Sequence, residues 1–443
     1  MSTEVIIRGG TIITVDANRR VLTGDVGCID GDIVSVGGTY IPREHDYEII
    51  DASGCIIMPG LVQSHVHMCQ TLARGRADGL ELLDWLRQII WPYEAALDRE
   101  DVASAAKLAC VELLRGGTTA VLDMGTVHHT DEIFAAARDS GLRATIGKVM
   151  MDASAPGIPP RLREDTADSV AESERLLEAW HGRANGRLRY AFAPRFALSC
   201  TDRLLRDVGE RARAKGVLIH THANENKSEI AEVKKSRGLD NIAYLAEVGL
   251  TGPDVGLAHC VWLSPSEIDL LVSSQTNILH CPSSNLKLAS GIAPIPALHA
   301  KGATISLGAD GAPCNNNLDG FLEMRLAALI HKPGYGPQVM AASTVIEMAT
   351  MGGARALGLE LAIGSLEPGK RADIIVVDVD GAHHVAPTRD PLSAIVYSAR
   401  STDVRDVIID GRLIVRNRNL LTLDQKSIVA TARERADRLF SRL

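Results

Sequence analysis

The sequence predicts an α/β protein: a (β/α)8 TIM barrel carrying a small β-sandwich domain built from both chain ends. Three observations predict it. Between about 58 and 361, strand-like runs alternate with helical ones, as in a parallel sheet with crossover helices. The alternation passes through eight units, the number that closes a barrel rather than an open sheet. Short alternating strands with Gly and Asp turns occupy both ends of the chain.

Taken in order, Val5–Ile7, Thr11–Val15, Val26–Ile29, Ile33–Val36 and Glu48–Ile50 read as strands, with Asp30-Gly31-Asp32 as one of the turns. The eight barrel strands are expected at 61–67, 118–125, 143–151, 187–196, 217–225, 255–262, 276–282 and 304–310. Strand patterns return over Ala372–Val379 and Val404–Arg412, so 1–57 and 362–424 are expected to build one composite domain around a 58–361 barrel. The charged tail 425–443, with Ala432-Arg-Glu-Arg-Ala436, reads as a surface helix. Gly364–Lys370 fits the first seven positions of a phosphate-binding loop. However, Arg371 replaces the Ser/Thr and a strand follows instead of a helix, so we read it as a turn.

Composition narrows the function. In 443 residues, 46% hydrophobic and 23% charged content excludes disordered and collagenous classes. The charge of −8, from 47 basic and 55 acidic side chains, offers no broad positive field for a phosphate backbone, so no nucleic-acid partner is expected. The eight cysteines (Cys28, Cys55, Cys69, Cys110, Cys200, Cys260, Cys281, Cys314) form no Cys-x-x-Cys pair, which suits a reducing cytoplasm. No run approaches the ~18 apolar residues of a membrane span, and the first residues lack the basic-then-apolar pattern of a leader. A cytoplasmic enzyme acting on a small molecule, with homo-oligomerisation possible for such barrels, is the expectation.

The chemistry gathers at strand ends. His65 and His67 close the first strand, and alternation puts both imidazoles on one side, where they can share a metal ion. His222 closes the fifth strand, His259 the sixth, His280 the seventh and Asp310 the eighth. Active sites of such barrels form where the C-terminal strand ends converge. Packing alone does not account for six such placements. Nitrogen and carboxylate ligands without thiolate suit Zn²⁺, Fe²⁺ or Mn²⁺, and the ligand types do not choose among them; Zn²⁺ is the ion we take as the expectation. Cys260 and Cys281 adjoin site histidines and should face the other way, as packing residues.

The ordered set Pro59-Gly-Leu-Val-Gln-Ser-His65-Val-His67, His222-Ala-Asn-Glu225, Ala258-His259-Cys260, His280-Cys-Pro-Ser-Ser-Asn285 and Gly308-Ala-Asp310-Gly311 resembles the amidohydrolase superfamily, in its purine and triazine aminohydrolase branch. The resemblance runs over nearly the whole chain. It implies that His65, His67, His222 and Asp310 bind one metal, with His259 a further ligand or close beside it. It also implies that Glu225 shuttles protons and His280 orients the attacking water. A metal would acidify water toward neutrality, making hydroxide available to attack an electron-poor ring carbon. Glu225, just past the strand, would carry the water proton to the ring and then to the leaving amine. The bridging lysine of two-metal relatives is missing from Ala193-Pro-Arg-Phe196 at the fourth strand, so one divalent ion is expected.

Two sets of residues bear on the substrate. Gln70, Lys148 and Arg195 resemble those of guanine deaminases, where the Gln and Arg would read the amide-like edge of a purine. The other reading of Arg195 is an ion pair with a carboxylate at the barrel mouth. Trp85 and Glu94, in Leu83-Asp-Trp-Leu86 and Trp91-Pro-Tyr-Glu94, look like the base-stacking and ribose-binding residues of methylthioadenosine, S-adenosylhomocysteine and 5'-deoxyadenosine deaminases. Their alternatives are helix core for Trp85 and surface for Glu94. Where those nucleoside enzymes place a histidine, this chain has Arg195. The expectation is metal-dependent hydrolytic deamination of a purine-type ring, either an adenosine-type nucleoside or a guanine-like base. An s-triazine amino- or chlorohydrolase is the alternative, and a non-catalytic scaffold on the same fold a more remote one.

Overall fold

A computed structural model describes residues 4–154 and 156–443. Residues 1–3, the start of the segment assigned above to the composite domain, lie outside the described residues, as does residue 155.

Eight parallel strands form the barrel: Leu61–His67, Thr118–Met124, Arg143–Gly147, Leu188–Pro194, Leu218–Ala223, Val255–His259, Asn277–His280 and Ile305–Leu307. Every residue of the first two is buried, because the barrel interior covers one face and helices the other. The crossover helices begin where the sequence supplies caps. Ser264 accepts from the Glu267 amide ahead of Pro265–Ser273, and Thr201 accepts from the Leu204 amide ahead of Asp202–Lys215.

Two expected strands are divided. Over 143–151 the strand stops at Gly147, and Val149–Met150 pairs separately with Ala193–Pro194. In the eighth unit Ile305–Leu307 pairs with the seventh strand, while Asp310–Gly311 pairs with Val66 and His67 of the first and closes the ring. Gly308 sits at that break. A Cβ there would lie 2.6 Å from the His65 carbonyl oxygen and 2.8 Å from its nitrogen, so only glycine lets the two backbones come this close.

A separate buried cluster ties the barrel strands to the segment that follows the last of them. Val62, Ala120, Leu122, Ala191, Ala258 and Leu279 pack in it with Ala354, Leu357 and Ile363.

Strands from both chain ends hydrogen-bond in one mixed nine-stranded sheet. The two short strands expected over 5–15 form one, Glu4–Ile13, with a register shift between Ile7 and Gly10. The run 404–412 turns at Asp410-Gly411 into Val404–Ile409 and Arg412–Arg416. An unanticipated strand, Cys55–Pro59, joins the two ends: it runs parallel to Thr11–Ile12 and antiparallel to Ile374–Asp378. Its all-apolar sequence lacks the alternation by which the other terminal strands are read, although Ser53-Gly54 and Pro59-Gly60 bound it. Gly364–Lys370 is a turn, with the Gly369 amide donating to Ile33 O, and not a nucleotide loop.

The C-terminal helix, Gln425–Phe440, lies on helix Arg99–Arg115, and Arg435 reaches Asp98, Glu100 and Asp101 at the start of that helix. All eight cysteines are free and buried. Among the described residues no helix is long and apolar enough to cross a membrane.

Candidate active site

Strand alternation aims the imidazoles inward. His65 and His67 project from the first strand with ring centroids 4.9 Å apart, and His222 enters from the fifth with its ring 4.8 Å from that of His65. His259 and Asp310 are reached differently. Their backbones are left-handed, at φ 75° and 63°, a conformation that costs a non-glycine residue about 1–2 kcal/mol and clusters at functional sites.

The Nε2 atoms converge. His65 and His67 Nε2 lie 3.3 and 3.4 Å from Asp310 Oδ1, His67 Nε2 is 3.4 Å from His222 Nε2, and His259 Nε2 is 3.8 Å from Asp310 Oδ2. Nδ1 atoms are engaged elsewhere. His67 Nδ1 donates to Met124 O at 2.7 Å and His222 Nδ1 to Arg195 O at 2.8 Å, while His259 Nδ1 faces Asn285 Oδ1 at 2.8 Å and His65 Nδ1 faces His220 Nε2 at 2.7 Å. A carbonyl can only accept, so His67 and His222 carry their protons on Nδ1 and leave Nε2 as a lone pair, the tautomer a metal ion requires.

The set fits a divalent ion. His65 Nε2 and His259 Nε2 are buried with no hydrogen-bond partner among the described residues. His65, His67 and His222, and likewise His65, His259 and Asp310, each present donor atoms within 4.8 Å of one another. Burial, reinforced by neighbouring imidazoles, pushes His67 down to about 3 and His259 to about 4, so both are neutral ligands at ordinary pH. Against its own burial, Asp310 is held well below the usual carboxylate range by His65, His259 and His67. Ser284 Oγ donates to its Oδ2 at 2.6 Å and orients it. Cys260 and Cys281 point away, their thiols on Leu257 O and Leu279 O.

Glu225 follows the fifth strand, with Oε2 3.4 Å from His259 Nε2 and Oε1 buried without a partner among the described residues. Burial, with Asp310 and Glu229 nearby, pushes its carboxyl well above the usual range. His280 is fully buried, both ring nitrogens lack partners among the described residues, and burial beside His331 and His259 takes it down to about 3.

A narrow pocket opens over His67, His222, Glu225, His259 and Asp310, walled by Leu82, Trp85, Leu86, Phe196 and Arg195. The two substrate sets of the sequence meet in one cluster. Both Arg195 Nη atoms donate to Glu94, Nη2 at 3.3 Å to Oε1, and Gln70 Nε2 donates to the same Oε1 at 2.8 Å. Arg195 therefore has the carboxylate partner that was its alternative reading, and Glu94 is buried rather than a surface residue. Lys148 is not brought to the cavity. It lies at the break in the third strand, ion-paired with Glu164 and 3.4 Å from Ser169 Oγ.

Sequence reasoning missed His220, although its i−2 relation to His222 on one strand face was the available signal. It also missed the supporting roles of Ser284 and Asn285, whose partners Asp310 and His259 are each 26 positions away, and of Glu229, for which the spacing Asn226-x-x-Glu229 of a capping box was the available signal.

A model described as the amidohydrolase family matches residues 56–414. The chain belongs to the amidohydrolase family. Within the family it is 39% identical over 442 residues to a 5'-deoxyadenosine deaminase of Methanosarcina acetivorans, covering 99% of both chains. It is also 39% identical to a 5-methylthioadenosine/S-adenosylhomocysteine deaminase of Syntrophobacter fumaroxidans, covering 97% of each. Among solved structures, an adenosine deaminase of Xanthomonas campestris with bound zinc superposes with a TM-score of 0.91 at 33% identity, covering 99% of this chain and 98% of that one.

Proposed function

We propose that this chain is a metal-dependent hydrolytic deaminase that replaces the 6-amino group of an adenosine-type nucleoside by oxygen and releases ammonia. The observation that carries the chemistry is the convergence of buried, unshared imidazole nitrogens on Asp310 beside the Glu225 carboxyl. His65, His67, His222 and Asp310 would hold a single divalent ion, with His259 at its edge. Zinc is the ion proposed, in line with the zinc-bound relative. When bound, the ion supplies an acidified water as nucleophile near neutral pH.

Glu225 takes one proton from that water at its free Oε1 and delivers it to the ring nitrogen next to the attacked carbon, then moves the second proton to the leaving amine. Water plus the aromatic amine thus becomes the oxo ring plus ammonia. His280 faces the attacking oxygen and orients it, while Trp85 and Phe196 flank the ring and exclude water.

The nucleoside is preferred over a guanine-like base on two grounds. The whole-length relatives are named for adenosine-type substrates. Gln70 and Arg195, which would read a base edge, are both turned to Glu94, to which each donates. Arg195 is the polar group of that cluster that faces the cavity.

The test is ammonia release by zinc-loaded protein. The panel sets 5'-deoxyadenosine, methylthioadenosine and S-adenosylhomocysteine against guanine, 8-oxoguanine and isoxanthopterin. Turnover is expected for the nucleosides alone. Turnover confined to the bases would transfer recognition to Gln70 and Arg195, and none from either group would end the deaminase reading.

A further inference from the structure

Glu225 has little to fix its own side chain. Its Oε1 has no partner among the described residues, and its Oε2 meets only His259, at 3.4 Å. Where the carboxyl stands is therefore set by the backbone of 224–226.

Two side chains hold that backbone. Asn224 is left-handed, at φ 52°, and its Nδ2 donates to Trp262 O at 2.6 Å, while its own carbonyl accepts from the Val261 and Trp262 amides. Glu229, one turn into helix Lys227–Arg237 and 1% exposed, accepts at Oε2 from the Glu225 amide at 2.8 Å and the Asn226 amide at 3.4 Å. Its Oε1 accepts from Asn241 Nδ2 at 2.9 Å.

In an ordinary capping box the third helical residue reaches back to the amide of the N-cap residue. Here the N-cap is Asn226, yet the shorter bond goes one residue further back, to Glu225. The cap is shifted onto the residue that carries the chemistry. Burying a carboxylate to gain a helix cap is costly, so helix stability alone does not call for this arrangement.

We propose that Glu229 is a positioning residue for the reaction: by holding the Glu225 and Asn226 amides, it sets where the Glu225 carboxyl stands against the His259–Asp310 end of the cavity. This rests on Glu225 being the proton shuttle.

The structure also supplies a variant that separates a positioning role from a need for negative charge. Asn241 Oδ1 is buried without a partner among the described residues, so a turned Asn241 amide could accept from the new NH₂ of Glu229→Gln. The remaining oxygen would keep both backbone amides. Glu229→Ala removes the anchor, and Glu229→Asp is too short to hold both amides but still caps the helix, so it keeps the question open if the alanine variant fails to fold.

Two readouts are taken on zinc-loaded protein. Amide hydrogen exchange of the peptide spanning 223–227 should be about ten times faster in Glu229→Ala and faster in Glu229→Asp, and near wild type in Glu229→Gln. With the nucleoside substrate, kcat should fall about 100-fold in Glu229→Ala, the scale of a 1 Å misplacement, with KM and bound zinc nearly unchanged. Glu229→Gln should restore most of kcat.

Unchanged exchange in the alanine and aspartate variants, or a loss confined to KM or to zinc content, would overturn the proposal. Wild type and Glu225→Gln run in the same assay report separately on the shuttle, and the exchange result stands whether or not ammonia is released.

Discussion

Each site side chain does one thing because its other polar atoms are already occupied. His67 and His222 give their Nδ1 protons to main-chain oxygens and are left with one Nε2 lone pair each, the two Nε2 atoms 3.4 Å apart and that of His67 3.4 Å from Asp310 Oδ1. Glu225 and His280 are exceptions: both His280 ring nitrogens lack partners among the described residues, and Glu225 Oε1 is free to exchange protons. Glu225→Gln preserves shape and removes that capacity. We expect zinc content to match wild type by elemental analysis, while kcat for ammonia release drops ~10²–10⁴-fold, the worth of a positioned general acid–base. A near-normal rate would take the shuttle role from Glu225. At this scale the sequence was informative about which residues lie at strand ends, because alternation and barrel topology dictate it: His65, His67, His222, His259 and Asp310 do meet. It said little about pairing across the fold. Glu94 and Arg195 are 101 positions apart, and nothing local announces that each neutralises the other. Lys148 was singled out by its resemblance to guanine deaminases, within a strand expected over 143–151. The strand breaks at that point, and its amine turns to Glu164 and to Ser169 on the outer helix.

Strands and helices position the site through close backbone contacts rather than through length. The eighth barrel unit is two short segments with Gly308 between them, and that division is what lets Asp310 pair with Val66 beside the histidines. Sequence patterning located this unit at 304–310 but could not show the break, since a glycine required by a neighbouring backbone looks like any other. A methyl group at 308 would meet His65 O, N and Cβ at 2.6, 2.8 and 2.9 Å, all atoms without freedom to move aside. Gly308→Ala should therefore destabilise by about 3 kcal/mol, the upper range of overpacking, and displace the first strand from the eighth. Because His65 and Asp310 sit on those two strands, zinc affinity measured by chelator competition should weaken ~10–100-fold. Gly334→Ala is the control: nothing lies within 4 Å of its Cβ position and its φ is ordinary, so both quantities should stay at wild type. Equal behaviour of the two variants would mean that the barrel closes without this contact. The strand Cys55–Pro59 went unread for a related reason, since its partners come from opposite ends of the chain.

At the scale of the whole molecule, the barrel and the terminal sheet are joined by a buried ion pair far from the chemistry. Arg143 opens the third barrel strand, and its guanidinium clasps Asp373, just before strand Ile374–Asp378, with Nε–Oδ2 at 2.7 Å and Nη2–Oδ1 at 2.9 Å. Asp373 Oδ1 also accepts from the Asp410 amide at 2.8 Å, and Asp410 Oδ1 lies 3.6 Å from Arg143, so three segments meet at one charge pair. Both side chains are at most 5% exposed. A pair this dry adds little net stability against an apolar replacement, but losing one partner leaves an uncompensated buried charge costing about 3–5 kcal/mol. Arg143→Met should lower the unfolding free energy measured by urea titration by that amount, Asp373→Leu by a comparable one, and the double variant by clearly less than their sum, a coupling that a double-mutant cycle isolates. Because the pair sits at the starting ends of the strands and the imidazoles at the finishing ends, kcat of folded Arg143→Met is expected to equal wild type. Strict additivity in the cycle would show that the two charges act independently. A fall in kcat at full occupancy of the folded state would show that the terminal sheet sets the geometry of the metal ligands through the length of the barrel.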